Sequence, residues 1–517
     1  MNLTFKRRDN TPVSAELPIK FSVGPYSWHA IGGPERAEIQ ATGLREDLYE
    51  LLEWARYTVE ITNDVGTKVW WGYISKVEIT DGPILAYVDV DQMANRIAVA
   101  YTTVAAGEQT TGERGTTTWA EDEDSMAEFG RRELLDSQGG TTQIHAEARR
   151  DSLLARHRNP TGRVEYNWKG QDELAAKLTC VGWWYTLEWL YANVPPTLAF
   201  AYDTLGGQGA FLGEGTRDAL GQTFESGPSG WNLQAVELYC RKTGDPGDNL
   251  RVSIWSNPDD QSPGTPLGSA TLAGADLATT TAWMRFTFDE AIALSPNASY
   301  FLVLDRTGGT DAVNYYAVRL NEAQSYAGGI LREKVGSTWQ AGPAADLPFR
   351  LYTNDIIETS QQVRSLLRQF GQFFRSVRVD IDSGIATESY RNGDSDAMYE
   401  VEELLETGTA NNRRMLATVD PGRNVLVDEE PTPGAGDYGL LRSGQFITAQ
   451  GALVEPSTCP VGFWARMRDV LPGNVDLVQL SGLGQFFVER AEYDPTTGKL
   501  KFDPLGEDIT DIGTQKG

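Results

Sequence analysis

Between residue 197 and about residue 353 the chain shows almost no helical period, and strands separated by turn signals recur in its place. Apolar residues alternate at Val236/Leu238/Cys240, at Leu250/Val252/Ile254 and at Met284/Phe286/Phe288, and Tyr300 to Leu304 forms a further run. Asp245-Pro246-Gly247, Ser262-Pro263-Gly264 and Ser295-Pro296-Asn297 fall between them as turns. A period of two puts alternate side chains on one face of a strand, so short strands at this spacing predict a β-sandwich of jelly-roll type. The segment opens where Asn193, Pro195 and Pro196 interrupt an aromatic run and the composition shifts to Gly, Thr, Ser and Asp.

The flanks carry helical period as well as strands. Leu44, Leu48, Leu51, Leu52 and Ala55 share one face of an expected amphipathic helix over 44–55. Tyr57, Val59 and Ile61, an Asp64-Val65-Gly66 turn, and Val69, Trp71, Tyr73, Val77 and Ile79 then predict a hairpin. Acids at Glu121 to Asp124 and bases at Arg131 and Arg132 bracket a second helix, each near the helix end of opposite sign. Leu174, Leu178 and Val181 predict a helix over 172–181, and Gly182 to Tyr191, with Trp183, Trp184 and Trp189, a strand buried on both faces. Helical period returns at Val363, Leu366, Leu367, Phe370, Phe373 and Phe374, and again at Ala397, Val401, Leu404 and Leu405. Strands follow at Val425/Val427, Phe486/Val488 and Leu500/Phe502, and a short acidic segment closes the chain.

The fold class expected is α+β and β-rich, with several domains. Small β-barrel or α+β domains over 1–105 and 106–196 are completed by 354–517, and the sandwich over 197–353 is inserted between them. A length of 517 residues gives each of these a core of its own.

Charge and motifs exclude several function classes. The 72 acidic against 45 basic residues give a formal charge of −27, which repels phosphate backbones and anionic lipid, so no specific nucleic-acid binding is expected. No run approaches the roughly 18 apolar residues of a membrane span, and Asp9, Asn10 and Pro12 follow Lys6-Arg7-Arg8 where a signal peptide needs an apolar core. A chain made in a cytoplasm, without membrane insertion, is the expectation. Cys180, Cys240 and Cys459 are odd in number and far apart, which predicts buried free thiols. His29, His145 and His157 lack any second ligand at metal spacing, and Asp380-Ile381-Asp382-Ser383-Gly384 has its glycine one place early for a calcium loop, so it predicts a hairpin turn. Gly207-Gln208-Gly209 lacks the third glycine of a nucleotide loop, and Gly215 to Gly221 is followed by no Lys-Ser/Thr. No cofactor, metal or catalytic residue is assigned, and the chain is expected not to be an enzyme. A glycoside hydrolase needs only two facing carboxylates, which a sequence does not reveal, and stands as the remaining enzymatic alternative.

The sandwich segment holds Trp255, Trp283, Tyr315, Tyr316 and Trp339, whose rings offer flat apolar faces on which sugar C–H groups stack. Trp255 and Trp283 fall out of phase with Leu250/Val252/Ile254 and Met284/Phe286/Phe288, so each points away from the face those residues share. Two readings stand for that second face, glycan stacking and packing against another sheet or chain.

Particular strings resemble tail proteins of siphophages and prophages. They are Trp70-Trp71-Gly72-Tyr73, Trp119-Ala120-Glu121-Asp122, Phe129-Gly130-Arg131-Arg132-Glu133, Leu178-Thr179-Cys180-Val181-Gly182-Trp183 and Ser389-Tyr390-Arg391-Asn392-Gly393-Asp394. The insert, at Gly221-Gln222-Thr223-Phe224, Tyr300-Phe301-Leu302-Val303-Leu304 and Phe349-Arg350-Leu351-Tyr352, is similar to β-sandwiches of the choice-of-anchor type. The resemblance implies a baseplate hub at the virion tail tip, a homotrimer whose barrels form a ring matching the tail tube. It implies the distal tail protein, the tail tube and the fibre or spike as partners, with host-surface carbohydrate for the sandwich. A distal tail ring protein or a receptor-binding tail protein is the alternative within the same class. Trp70 and Trp71 are the candidates for a subunit contact in such a ring, because neighbours on a strand face opposite ways and only one enters the barrel core.

Overall fold

The structure is a computed structural model that describes the chain apart from residues 14–17, 104–113, 167–173, 207, 213–216, 310, 324–325, 434–437, 441–445, 449, 468–485 and 505–517. Gly207, the first two residues of the Gly215 to Gly221 stretch and the acidic segment after Pro504 thus lie outside the described residues. The chain divides into two compact units. One comprises Met1–Ala192, Glu358–Ala386 and Gly393–Gly517, and the other Asn193–Ile357 with Thr387–Asn392. The class is α+β and β-rich, with the strands gathered into several sheets.

In the first unit a large sheet runs, by neighbours, from Asn2–Lys6 through Thr58–Thr62, Lys68–Asp81, Leu174–Val181, Gly33–Thr42 and Lys20–His29 to Phe486–Asp494. Its core joins Ile39, Ile61, Trp70, Ile74, Val77, Leu178 and Cys180. The strand Leu174–Val181 replaces the helix expected at 172–181. Leu174 and Leu178 are four apart, a spacing that suits either period, and burial of Ala176, Leu178 and Cys180 settles on two. Trp183–Trp189 is a 3₁₀ turn rather than a strand, and it buries Trp183, Trp184, Leu187 and Trp189.

That turn explains a second correction. Lys68–Asp81 does not keep one phase, for it is buried on both faces from Val69 to Ser75. Trp70 belongs to the sheet core, while Trp71 packs edge-on against Trp28 at 5.0 Å and Tyr73 meets Trp183 at 5.3 Å. With Trp70 0% and Trp71 7% exposed, neither ring is surface for a neighbouring subunit, contrary to the expectation for this pair. The Trp71 indole donates instead to the Val419 carbonyl at 2.9 Å.

The expected helix over 44–55 is a single α turn and a half, Arg45–Glu50, continued by a 3₁₀ turn. It buries Leu48 and Leu51, whereas Leu44 stands outside it, 68% exposed. Glu123–Phe129 is capped as its charges suggest, with the Asp122 carboxylate accepting from Ser125 N–H. Gly130, at φ +91°, ends it before Arg131, so the basic pair lies outside the helix. Helices Thr359–Phe370 and Ala397–Thr407 bury the residues their period predicts through Phe370 and Leu405. Phe373 and Phe374 fall beyond Gly371 and pack on Trp183 and Trp184. Ser376–Val379 pairs in parallel with Asn424–Glu429, so the Asp380 to Gly384 loop leaves that sheet and is not a hairpin turn. Cys180, Cys240 and Cys459 are buried free thiols.

The second unit is a sandwich of two six-stranded sheets. The first sheet places Thr197–Tyr202, Phe349–Thr353, Trp231–Thr243, Tyr315–Leu320 and Gln208–Leu212 side by side, with Ala282–Leu294 also on Trp231–Thr243. The second runs Pro266–Ala273, Asn249–Ser256, Ser299–Arg306, Arg217–Glu225, Leu331–Val335, Thr338–Ala341. Leu238, Cys240, Val252, Ile254, Phe286, Leu302, Leu304 and Phe349 fill the space between them.

Candidate functional site

Alternation assigns each sandwich aromatic to a face. Tyr316 points inward and is fully buried, with its hydroxyl on the Asp248 carbonyl, so no sugar reaches it. Tyr315 and Trp283 lie outward on the first sheet, and Trp255 and Trp339 outward on the second. The five candidates are therefore divided between a core and two separate surfaces.

On the first sheet, Trp283 is already occupied. The Arg350 guanidinium lies 4.0 Å from its ring centre and Tyr239 packs at 5.4 Å. Arg285 covers Tyr352 at 4.1 Å, and Glu237 ties the group together by accepting from Arg285 Nε at 3.0 Å and from the Tyr352 hydroxyl at 2.7 Å. Arg350 also reaches Asp203 at 3.3 Å. Burial and the bond to Glu237 raise the Tyr352 phenol above its ordinary range, so it stays a neutral donor.

The second sheet is different. Phe301 and Val303 face outward although both are buried, because Trp255 and Trp339 lie against them. Trp339 comes from the edge strand Thr338–Ala341 and crosses to Gly221, where an added Cβ would meet its ring at 3.1 Å and Phe301 at 3.3 Å. Glycine at 221 therefore lets the indole lie low on the sheet. Ala219, in the same cluster, also lines a cleft of about 220 Å³ with Arg217, Asp218, Asp305, Arg306, Gly308, Gly309 and Lys334.

The walls of this cleft are fixed by ion pairs. Arg306 grips Asp248 through Nε at 2.7 Å and Nη2 at 2.6 Å, and Arg251 grips Asp305 at 2.9 and 2.6 Å. Arg217 reaches Glu333 at 2.8 Å, and Asp218 accepts from Gly336 N–H at 2.6 Å. Burial alone would raise the Asp248 carboxyl. The Arg306 fork and the Gly308 N–H outweigh that and hold it below the usual carboxylate range. Two half-buried indoles form an apolar surface over Phe301 and Val303, and Ala219 and Lys334, opposite Trp339, join that surface to the polar cleft, an arrangement of flat apolar rings and fixed polar groups on which a saccharide ring can stack by its C–H face.

Sequence reasoning found the two tryptophans and missed what seats them. Phe301 and Val303 were legible only as part of a continuous apolar run, Tyr300 to Leu304, that departs from strict alternation and marks a strand covered on both faces, and Gly221, on Arg217–Glu225, carried no such signal.

No protein-family model matches the sequence, and no curated protein does. Among solved structures, a glycoside hydrolase family 43 arabinoxylan arabinofuranohydrolase from Bacillus subtilis is 12% identical, over 55% of this chain and 64% of that one, at a TM-score of 0.16. The mosquito-larvicidal Cry4Aa toxin from Bacillus thuringiensis is 7% identical, over 65% and 53%, at 0.17. The VP2 subviral particle of infectious bursal disease virus is 10% identical, over 66% and 83%, at 0.16. The chain thus spans less than two thirds of the hydrolase and of the toxin. Likeness at these TM-scores carries no argument about fold or function.

Proposed function

We propose that the protein is a structural subunit of a phage or phage-like tail tip, a baseplate hub whose inserted sandwich carries a saccharide-binding face. The observation that supports this best is the interruption itself. In the first unit Lys20–His29 pairs with Phe486–Asp494, so chain from both ends completes one sheet, while the segment between holds a sandwich with a separate core. A module built this way can be displayed without lending strands to its platform. The resemblance of the flanking strings to siphophage tail proteins supplies the setting, and the Trp255–Trp339 platform supplies the binding surface.

The assembly half is tested by mass photometry and electron microscopy of the purified chain. A ring of three copies with a central channel is expected, and a monomer that persists at micromolar concentration would refute the hub. The binding half is tested on a glycan array followed by titration of indole fluorescence. Trp255→Ala and Trp339→Ala should each weaken binding about twofold to tenfold, as loss of an aromatic contact of about 0.5–1.5 kcal/mol implies. Trp283→Ala should not weaken it.

A further inference from the structure

A second group of charged residues, in the first unit, has no ion-pair partner among the described residues. Arg56 is only 5% exposed and holds φ +70°, a backbone conformation uncommon for a residue with a side chain, which turns its guanidinium inward. Its Nε donates to the Phe129 carbonyl at 3.2 Å, and its Nη1 is buried with no acceptor among the described residues. The guanidinium lies 4.3 Å from the centre of the Phe373 ring and 5.4 Å from that of Trp183. Arg423 covers Trp183 at 3.9 Å and donates through Nη2 to the Asn10 side chain at 2.8 Å and to the Thr58 hydroxyl at 3.1 Å. Exposed Arg375 donates its backbone N–H to the Arg423 carbonyl.

Among the described residues, no carboxylate forms an ion pair with Arg56, Arg375 or Arg423. The nearby acids are committed elsewhere. Glu60 holds Lys6 at 2.6 Å and Lys68 at 2.7 Å, and Glu128 is engaged by Arg8. Burial, and then the neighbouring arginine, depress both guanidinium pKa values, that of Arg56 to about 10 by burial and Arg423, and that of Arg423 by burial and Arg375. Both remain cations at neutral pH. Buried charge without a partner is costly, and buried donors are nearly always satisfied. In a chain of formal charge −27 such a cationic focus runs against the overall balance.

We propose that Arg56 and Arg423, with Arg375 at the rim, form a binding site for an oxyanion, a phosphate or a carboxylate group. Stacking on Trp183 and Phe373 leaves for in-plane donation to such a group the Arg56 Nη1 and the Arg423 N–H groups not given to Asn10 and Thr58. Half-buried Arg423 is the accessible donor, and Arg56 behind it supplies the charge and the unused N–H. The inference is independent of the tail-tip reading.

The test is isothermal titration and thermal unfolding of the full chain in sodium phosphate, sodium acetate and sodium chloride at equal ionic strength. Phosphate or acetate should raise the unfolding temperature over chloride, and the one that does identifies the group. Arg423→Gln should weaken that binding about tenfold to a hundredfold, the loss of one or two charge-assisted hydrogen bonds. Because Arg423 also ties Asn10 and Thr58, Arg375→Gln, at an exposed position, is the second variant, and it should weaken binding a few-fold with an unchanged circular dichroism spectrum. Identical unfolding in all three salts, or full anion response in both variants, would overturn the proposal.

Discussion

Asp248→Ala removes the acceptor on which one wall of the sandwich cleft is built, and its effect follows from the geometry. Asp248 and Arg306 side chains are 13% and 7% exposed, and the carboxylate also accepts from Gly308 N–H at 2.8 Å. Taking away one member of a buried pair leaves the other charged and unsolvated, at a cost of about 3–5 kcal/mol. Arg306 keeps one acceptor, the Asn314 carbonyl at 3.1 Å, which places the value near the lower end, about 3 kcal/mol. For a unit of this size that is a fall of roughly 6–12 °C in its melting transition. The sign of the pH dependence follows as well. The folded pKa of Asp248 is depressed, so its stabilisation is complete above the unfolded value of about 3.9 and is lost as pH falls through the folded one. Calorimetry of the full chain, with hydrogen exchange to assign the sandwich transition, measures both. The double variant Asp248→Leu with Arg306→Met should recover part of the loss, since the penalty belongs to the stranded charge. A fall below about 2 °C in Asp248→Ala, or a double variant less stable than the single, would refute this reasoning.

Three further outcomes test the first unit and the core. Half-buried Arg414 is the shared cation of Glu406, Glu430 and Glu489 at 2.8, 2.9 and 2.7 Å, so Arg414→Met leaves three carboxylates facing one another and should destabilise by about 3–5 kcal/mol in thermal unfolding. Gly182→Ala puts a Cβ 1.7 Å from the Pro34 carbonyl oxygen, a clash with backbone that should abolish the native fold by near-ultraviolet circular dichroism, and a native spectrum would contradict it. Cys180, Cys240 and Cys459 should ignore a thiol reagent at pH 8 and all react in denaturant, because burial raises each thiol, that of Cys240 to about 12.

The strands of the sandwich and the helices Thr359–Phe370 and Ala397–Thr407 were legible because each repeats one period over several residues. The failures share a cause. At Leu174 to Val181 the apolar spacing satisfied two periods, and only pairing with Gly33–Thr42 and Lys68–Asp81 decided between them. At Trp183 to Trp189 an apolar run suited a buried strand as well as a 3₁₀ turn. Trp70 and Trp71 were correctly placed on opposite faces, but the cover over the second face comes from Trp28 and Val419, far along the chain. Arg56, Arg375 and Arg423 had no signal at all, since more than three hundred residues separate Arg56 from the other two in a cluster that exists only once the first unit has folded.

The two outward faces of the sandwich show why similar aromatic residues carry different consequences. A ligand stacking on Trp283 would first have to lift Arg350 from the ring, breaking a cation–π contact of about 0.5–2 kcal/mol and disturbing its bonds to Asp203 and Glu237. On the other sheet no cation covers Trp255 or Trp339 among the described residues, and Phe301 and Gly221 beneath them set the height of the platform. Gly221→Ala is then the informative change. Its Cβ pushes at the Trp339 ring, which lies on an edge strand and can rise, so the core should tolerate the substitution within about 1 kcal/mol. Saccharide affinity should nevertheless fall, because Trp339 would no longer lie low against the sheet beside Phe301. Unchanged affinity with a displaced Trp339 would mean that Trp255 alone carries the binding, and unchanged affinity in both Trp255→Ala and Trp339→Ala would remove this face from the function altogether.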